Sequence, residues 1–411
     1  METGTLNKLS LFVEDLIESD LSPKALKDAA HEFLAGQDFP TTRSERFKYT
    51  RLAKLANATF TQPETIDTTQ VEEAKVLTDA YTIVVNHENI TLPQNLPAGV
   101  AISLISATQI PFQSASFKDV FGALNVLYAQ HGISINIAPN TTLDKPIQLI
   151  QINSGGKFFY RYHLNFGRNS EASLYVVSKQ QAHINGFSHT HFQYEIAQDA
   201  RIKIFKIQDT SLNHFDFNED RGVQAAQSHF EINTITLNGS FVRNDAQVMI
   251  QGEHAQTYLN GAYWLKEEQH VANYTTIDHQ VANCESFETY KGVAADKASA
   301  VFNGKVFVRK DAQKTNAYQS NANVLLSENA SINSKPELEI YADDVKCSHG
   351  STTGQLDENA LFYLRARGLS EAAAKNLLLQ AFMEDVLQYL KNEEVLAYVH
   401  NRIAERFNWN Y

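Results

Sequence analysis

The sequence places a thiol and an imidazole two positions apart in the segment CSHG, which spans residues 347–350. Cysteine sulfur and histidine nitrogen are common ligands of transition metals. On an extended segment, Cys347 and His349 would project to the same side, about 7 Å apart along the strand. Bonds of about 2.0–2.3 Å to a single metal would require the two side chains to lean together, which a bend at Gly350 would ease.

Two residues cannot complete a tetrahedral metal site. If Cys347 and His349 bind a metal, the remaining ligands must come from elsewhere in the fold, from a partner chain or from the cargo. The spacing also fits a second interpretation, in which a small buried cysteine lies beside a capping histidine. The residues by themselves leave both interpretations open.

A second group of histidines lies in the segment HINGFSHTH. His189 and His191 would share one face of a strand, and His183 is nearby in the chain. Such a pair can bind zinc when a third ligand converges on it. No carboxylate or cysteine adjacent in sequence supplies that ligand, so the pattern favours exposed strand histidines and leaves metal binding by the three residues open.

Several common catalytic motifs are missing from the chain. The segment NSGGKFFY contains Gly155, Gly156 and Lys157 but lacks the first glycine and the final hydroxyl residue of a phosphate-binding loop, so no ATP site is predicted. No G-x-S-x-G, H-E-x-x-H or C-x-x-C motif occurs. Asp343 and Asp344 could serve a polysaccharide lyase or glycosidase. Such catalysis needs opposed carboxylates, however, and adjacent strand residues point to opposite faces.

The composition is that of a globular protein with one to three domains. Of its 411 residues, 43% are apolar and 20% are charged, and the formal net charge is −12, which argues against nucleic-acid binding.

The chain has no run of the ~18 apolar residues that spans a membrane, and its start lacks the pattern of a signal peptide. Its two cysteines, Cys284 and Cys347, cannot build a disulfide framework, which fits a reducing cytoplasm.

Residues 1–131 are predicted to form a helical and mixed N-terminal region. The segment SPKALKDAAHEFLAG has Ser22 as a candidate N-cap and Gly36 as a stop signal. A second helix is predicted in SFKDVFGALNVLYAQHG, with Gly132 directly after its end.

From residue 132 to residue 348 the chain alternates short β-branched and aromatic runs with polar turns. A period of two is clear in ISINI and RIKIFKI, and too few helical patterns intervene for a sheet of βαβ units. A polar turn followed by alanine recurs at irregular intervals, at Ala172, Ala200, Ala246, Ala298, Ala312 and Ala330. Small residues at tight corners suit a parallel β-helix core. Periodicity does not exclude a sandwich or an antiparallel barrel.

Residues 349–411 are predicted to form a C-terminal helical domain. Asp357 is a candidate N-cap for the helix ENALFYLRARG, which Gly368 would end. Ser370 would cap the next helix, EAAAKNLLLQAFMEDVLQYL. A last helix, NEEVLAYVHNRIAERF, closes the region, so CSHG lies where the β-rich region meets the helices.

Four segments of the chain resemble the SufB/SufD family of iron–sulfur cluster assembly proteins, in the same order. They are FPTTRSERFKYTRL, GISINIAPNTTLDKPIQLI, VFNGKVFVRKDAQKTNAYQSNANVLLSENA and KPELEIYADDVKCSHGSTTGQLDENALFYLRARGLSEAAAKNLLLQAF. The resemblance runs over nearly the whole chain. The resemblance is closer to the SufD branch, because SufB members are usually longer, contain more cysteine and lack the sequence motif EIYADDVKCSHG.

The resemblance implies a right-handed parallel β-helix flanked by N- and C-terminal helical segments. It also implies a non-enzymatic scaffold subunit in a cytoplasmic complex of SufB, SufD and two copies of the ATPase SufC, with no nucleotide of its own. Cluster assembly is attributed to the interface between SufB and SufD. By position, Cys347 and His349 would bind a transient iron–sulfur cluster, or iron, at that interface.

The resemblance further implies that the helices after Asp357 dock SufC. These helices carry more large apolar residues than one packing face needs, namely Leu361, Phe362, Leu377, Leu378 and Phe382. Cys284 belongs to no motif of the family and is expected to be a structural thiol. An isolated chain could form a homodimer by edge pairing of two β-helices. The alternative function is that of a β-helix carbohydrate-active enzyme.

Overall fold

The computed structural model describes residues 7–105, 117–180 and 184–407. The N-terminal part contains α1 (Lys8–Val13), α2 (Lys24–Leu34), a short 3-10 helix (Glu45–Phe47), α3 (Ala53–Ala56), α4 (Thr68–Ala74), β1 (Tyr81–Val85), β2 (Ile90–Thr91), β3 (Val100–Leu104) and α5 (Val120–Tyr128). The C-terminal part contains α6 (Glu358–Ala366), α7 (Glu371–Leu387) and α8 (Glu393–Phe407).

Sixteen strands lie between these two parts. They are β4 (His131–Ile137), β5 (Ile147–Asn153), β6 (Gly156–Phe166), β7 (Glu171–Gln180), β8 (Gly186–Ile196), β9 (Arg201–Asp209), β10 (His214–Gln224), β11 (His229–Asn238), β12 (Phe241–Ile250), β13 (Gln256–Leu265), β14 (His270–His279), β15 (Glu285–Ala294), β16 (Ser299–Val308), β17 (Asn316–Leu325), β18 (Ser331–Ile340) and β19 (Lys346–Gly354).

Successive strands alternate between two sheets. Sheet A contains the odd-numbered strands from β5 to β19 together with β1 and β2, and sheet B contains the even-numbered strands from β4 to β18 together with β3. Each strand from β4 to β17 pairs in parallel with the strand one turn later, 26 to 32 residues further along the chain. The result is a parallel β-helix of about eight turns with helices before and after it, which confirms the predicted fold class.

The inner faces of the two sheets enclose the main hydrophobic core. Inward residues stack on the residue one turn away, as Ile133, Tyr162 and Phe192 do on successive strands of sheet B. Inside the same core, the Lys206 ammonium lies 2.7 Å from the Asp220 carboxylate. Buried charges are tolerated when they are paired in this way.

The corners between strands use residues in the left-handed backbone region. One line of corners has a positive φ once per turn, at Asn140, Asn169, Asp199, Gln227, His254, Asn283 and Lys314. From Asn169 onward, the next residue is small and buried. Cys284 is one of these residues: it is fully buried, and its Sγ lies 3.3 Å from each of the carbonyl oxygens of Gly252 and Ala282. Its role in this structure is to fill a corner.

The recurring alanines occupy two kinds of position, which explains their irregular spacing. Five of them lie at or next to buried corners: Ala172, Ala200, Ala298, Ala312 and Ala330. The sixth, Ala246, lies in the middle of β12 and packs in the main core. Because the solenoid has corners at both ends of each strand, alanine after a polar turn marks a corner without marking a constant period.

The outer face of sheet B is covered by the N-terminal elements. Phenylalanines of this face pack against residues of α1, α3 and α5, and they are Phe159, Phe187, Phe215, Phe217 and Phe241. The closest of these ring contacts joins Phe121 of α5 and Phe217, with centroids 4.5 Å apart. The N-terminal region therefore packs on the solenoid over a broad apolar surface.

Two of the predicted helix boundaries in this region are wrong. Pro23, rather than Ser22, occupies the N-cap of α2. Gly132 does not end α5, because the helix stops at Tyr128 and Gly132 lies inside β4. The predicted stop at Gly36 is confirmed, since its φ of +74° follows directly on the end of α2.

The C-terminal boundaries follow the predicted capping. Asp357 accepts a hydrogen bond from the backbone N–H of Asn359 at 2.8 Å, and Ser370 accepts one from that of Ala373 at 3.2 Å. Gly368 has a φ of +99° after the end of α6. Strands β1–β3 precede residue 132 and β19 extends past residue 348, so the sheets include strands from both predicted flanking regions. The domain division itself remains a prediction.

Helices α7 and α8 pack on the outer face of sheet A. A buried carboxylate, Asp209 at the end of β9, anchors α8 to this face: Lys179 Nζ lies 2.7 Å from it, Arg402 Nε lies 2.7 Å from it, and the Tyr398 hydroxyl donates to it. Burial alone would raise the pKa of Asp209, but Lys179 and Arg402 outweigh burial and hold the pKa below its usual value.

None of the helices in the described ranges has both the length and the apolar composition that a membrane span requires.

We expect Asp209→Asn to lower the free energy of unfolding by about 1–3 kcal/mol, because it leaves the partly buried cations Lys179 and Arg402 without their shared buried anion. In the unchanged protein, the contribution of Asp209 should be present above the unfolded pKa of about 4 and should be lost as the pH falls through the lower folded pKa. Thermal or urea unfolding across this pH range measures both effects. Glu405→Gln, which removes an exposed partner of the same Arg402, is the matched control. An equal loss of stability in the two variants would contradict the anchoring role.

Candidate functional site

The solenoid ends at an open edge formed by β18 and β19. They are the last strands of sheets B and A, and within the described ranges no further strand pairs with either of them. One side of each strand therefore leaves its backbone N–H and C=O groups available to another chain. On β18 this edge includes Pro336, a residue that is tolerated in a sheet mainly at an edge.

β19 carries both residues of interest. In its parallel pairing with β17, Cys347 lies opposite Ala317 and His349 lies opposite Gln319. Because Ala317 and Gln319 are buried inside the solenoid, Cys347 and His349 lie on the inward-facing side of the final turn. The two side chains therefore share one face, as the spacing predicts, and β19 continues as a strand through Gly350.

Cys347 lies partly buried at the margin of the core. It packs with Ala317, Leu338 and Ala342, in a small cluster that also contains Val306, Val308, Ala312 and Val345. Burial raises the pKa of its thiol, and a hydrogen bond with the backbone of Ala317 offsets only part of this effect. The thiol is therefore protonated at neutral pH, and metal binding would have to release its proton.

His349 lies above a polar column that leads into the core. The side chain of His349 is exposed and makes no hydrogen bond within the described part of the chain. In the strand register, Gln319 lies beneath it and Glu288 lies beneath Gln319, and the Gln319 amide donates to the Glu288 carboxyl group. Burial raises the pKa of Glu288 to about 7. The imidazole is thus the outermost member of the column and is free to bind a ligand.

Cys347 and His349 do not by themselves make a metal site in the described part of the chain. Across residues 7–105, 117–180 and 184–407, no group of three or more His, Cys, Asp or Glu side chains could hold a metal ion. A thiolate and a neutral imidazole are suitable ligands for iron, zinc or an iron–sulfur cluster. The other ligands would have to come from outside these residues, and the open edge leaves room for them.

The expectation that His189 and His191 are exposed is wrong. His189 is 3% exposed beneath α5, where its Nδ1 lies 3.0 Å from the Asn125 amide nitrogen, and burial lowers its pKa to about 3. His191 Nδ1 lies 3.0 Å from Glu219 Oε2. His183 lies outside the described residues.

Glu219 is the carboxylate partner that the sequence pattern does not show. It is on β10, opposite His191 on β8, so the register of the solenoid brings together residues that are far apart in sequence. Glu219 also binds Arg221, whose NH1 lies 3.5 Å from Asp245, and Asp245 in turn binds Arg46 of the N-terminal region. His191 therefore belongs to a buried ionic network that anchors the N-terminal region to sheet B.

The predicted docking residues of the C-terminal helices differ in how far their side chains are exposed. Phe362 on α6 is 75% exposed and Leu377 on α7 is 45% exposed, whereas Leu361 and Leu378 are partly buried. Phe382 faces the protein's own sheet A, where the Lys291 ammonium lies 4.6 Å from its ring centroid. Sequence reasoning missed Tyr363, which is exposed beside Phe362 and extends the apolar surface of α6.

Two family models match consecutive parts of the chain. The model for the SufBD core domain of the SUF system for FeS cluster assembly matches residues 150–382, and the model for the N-terminal region of SufBD proteins matches residues 13–149. The first of these includes Cys347 and His349, and the two together cover the solenoid and most of the flanking helices.

Individual relatives match this chain over lengths that range from about half of it to nearly all of it. The iron–sulfur cluster assembly protein SufD of Escherichia coli is 28% identical over 379 residues, which is 89% of each chain. The chloroplastic protein ABCI7 of Arabidopsis thaliana is 26% identical over 418 aligned residues, covering 94% of this chain and 86% of the relative. An iron–sulfur cluster assembly SufBD family protein of Synechocystis is 35% identical over 195 residues, covering 47% and 43%.

Alkylation should distinguish the two cysteines. We expect iodoacetamide to label Cys347 and not Cys284 in the folded chain, because Cys347 is partly exposed and Cys284 is fully buried. Because burial raises the pKa of Cys347, its labelling rate should still increase above pH 9. Mass spectrometry of peptides after timed labelling measures both residues, and unfolded protein, in which both should react, is the control. Rapid labelling of Cys284 in the folded state would contradict the assignment of the two thiols.

Proposed function

Because the chain belongs to the SufBD family of iron–sulfur cluster assembly proteins, we propose that it is a SufD-like subunit of a scaffold built from SufB, SufC and SufD. In this proposal, Cys347 and His349 contribute ligands to a cluster-assembly site at the interface with SufB. The C-terminal helices dock the SufC ATPase. The iron–sulfur cluster is the cargo of the complex and is held transiently.

The observation that carries the proposal is the position of Cys347 and His349 on the final turn. A thiol and an imidazole share the inward-facing side of an edge strand, next to unpaired backbone groups and without a third ligand in the described chain. A thiolate favours iron and cluster binding, and incomplete ligation by one subunit makes release of the product easier. A second subunit that pairs with this edge would bring its own ligands to the same place.

Docking of an ATPase is supported by the exposed surface of the C-terminal helices. No residue of α6 is fully buried, and α6 places Phe362 and Tyr363 at the surface, while α7 adds Leu377. Exposed aromatic and aliphatic side chains that lie together mark a protein interface. The nucleotide chemistry of the complex would then belong to SufC, which agrees with the missing phosphate-binding loop in this chain.

A scaffold role without enzymatic activity of its own fits the described residues better than carbohydrate catalysis. Asp343 and Asp344 are neighbours in the exposed connection between β18 and β19, and they do not form an opposed pair across a groove.

Both cysteines are free thiols, which supports the proposed location in a reducing cytoplasm.

Substitution of the two proposed ligands should reduce cluster content without unfolding the chain. We expect Cys347→Ser and His349→Ala chains to recruit SufB and SufC, and the reconstituted complex to lose iron and labile sulfide by about tenfold or more. Even the loss of a group that only orients a ligand costs ~10–100-fold in metal affinity. Iron and sulfide per complex and the melting temperature are the two measurements.

Thr353→Ala, on the same face of β19, is the matched control and should retain its cluster. Full cluster content in Cys347→Ser and His349→Ala, together with a large decrease in melting temperature, would assign both residues to packing alone.

The double substitution Phe362→Ala and Leu377→Ala should weaken SufC binding at least tenfold. Burying one such side chain in an interface contributes about 1.5–3 kcal/mol, and 1.4 kcal/mol corresponds to a factor of about ten. Calorimetric titration with SufC measures the effect. Ile17→Ala, which removes an equally exposed side chain in the N-terminal region, is the control. If the double variant bound SufC as tightly as the control does, the docking surface would lie elsewhere.

A further inference from the structure

A pocket of about 480 Å³ lies between the N-terminal region and the starts of four strands of sheet B. Its floor contains a row of residues in direct register on β12, β14, β16 and β18: Phe241, His270, Ser299 and Ser331. The row offers hydroxyl and imidazole groups on consecutive turns, and Asn333 adds an amide further along β18. This floor is rigid, because each member is part of a continuous hydrogen-bonded sheet.

The wall of the pocket is cationic. Lys48 and Arg51 lie between the 3-10 helix and α3, Lys54 lies within α3, and all three line the pocket with exposed side chains. Lys54 Nζ lies 3.1 Å from the hydroxyl of Ser240, another residue of the lining. The exposed ring of Tyr49 completes this side. A chain with a net charge of −12 thus concentrates positive charge at one concave surface.

The three cations make no close ion pair within the protein, although Lys48 helps to lower the pKa of the Glu45 carboxyl group, which is itself paired with Lys335. Within the described ranges, no carboxylate lies within 4.0 Å of the charged groups of Lys48, Arg51 or Lys54. The acidic residue of the lining, Glu268, is exposed and lies 3.8 Å from Lys297. Arg46, a few positions earlier, differs in this respect because it is paired with Asp245 and belongs to the buried network. The positive charge of the pocket is therefore available to a bound anion.

His270 positions the Ser299 hydroxyl at the floor of the pocket. Its Nδ1 lies 2.8 Å from the Ser299 hydroxyl, and its Nε2 is buried without a hydrogen-bond partner in the described structure. Burial lowers the pKa of His270 to about 4, with Arg243 adding to the effect, so the ring is neutral. When the neutral ring carries its proton on Nδ1, it donates to the Ser299 oxygen and leaves the Ser299 hydroxyl proton available to a ligand in the pocket.

We propose that this pocket binds the phosphate group of a small phosphorylated molecule. Three cations and several hydroxyl donors match a dianion with three terminal oxygens better than they match a single carboxylate. The volume exceeds that of phosphate and lies in the range of small-molecule sites, and the Tyr49 ring offers a surface for an organic group. The site is separate from Cys347 and His349 and does not depend on their function.

The test is calorimetric titration of the full chain with inorganic phosphate and with phenyl phosphate, at constant ionic strength maintained with chloride. We expect both ligands to bind, and the double substitution Lys48→Gln and Arg51→Gln to weaken binding at least tenfold. Lys310→Gln, which removes an exposed lysine outside the pocket lining, is the matched control and should bind as the unchanged protein does. Because the substituted side chains are exposed, the melting temperatures should stay the same.

The two ligands distinguish the source of the phosphate group. Tighter binding of phenyl phosphate supports an organic phosphate as the occupant, and tighter binding of inorganic phosphate supports the free anion. Absence of binding of both ligands up to about 10 mM would overturn the proposal, as would unchanged affinity in the double variant. A serine variant, Ser299→Ala, gives a second measurement at the floor of the pocket and should also weaken phosphate binding.

Discussion

The parallel register between successive turns is the constraint on which the rest of the structure depends. Each inward residue must stack on the residue 26 to 32 positions earlier, so every turn has to return the chain to the same place within one strand spacing. The corners make this return possible, because residues such as Asn169 and Asp199 adopt a positive φ and are followed by small buried side chains. Where the register ends, at β18 and β19, the described structure has an unpaired edge that carries Cys347 and His349.

Both flanking regions are held by charges as well as by apolar packing. In the N-terminal region, Arg46 binds Asp245 on the outer face of sheet B, and in the C-terminal region, Arg402 binds Asp209 on the outer face of sheet A. A buried ion pair adds little net stability but penalises wrong arrangements strongly, because a displaced helix would leave a buried charge unpaired. These pairs therefore fix where α8 and the 3-10 helix of the N-terminal region lie on the solenoid.

Local patterns in the sequence were sufficient for the strands, the C-terminal caps and the placement of Cys347 and His349 on one face. These features depend on alternation and on neighbours within a few residues, as Asp357 and Ser370 illustrate. The partnership of His191 with Glu219 could not be predicted, because it depends on the length of a whole turn, which varies along the chain. Gly132 was misread for a related reason: the same glycine that commonly ends a helix also fits in a strand, and pairing with β6 decides between them.

The stacking of turns also fixes the distances between surfaces along the axis of the solenoid. Neighbouring strands in a sheet are about 4.8 Å apart, and α7 is held to β15, two strands before β19, through Lys291. The distance from α7 to the thiol of Cys347 therefore depends on the number of turns between β15 and β19. Adding or removing a turn changes this distance by one strand spacing. Insertion of a complete turn between β15 and β19 would keep the parallel stacking within the sheet and yet move the two surfaces apart by one strand spacing. Selection on the chain would then act on the number of turns as strictly as on any side chain.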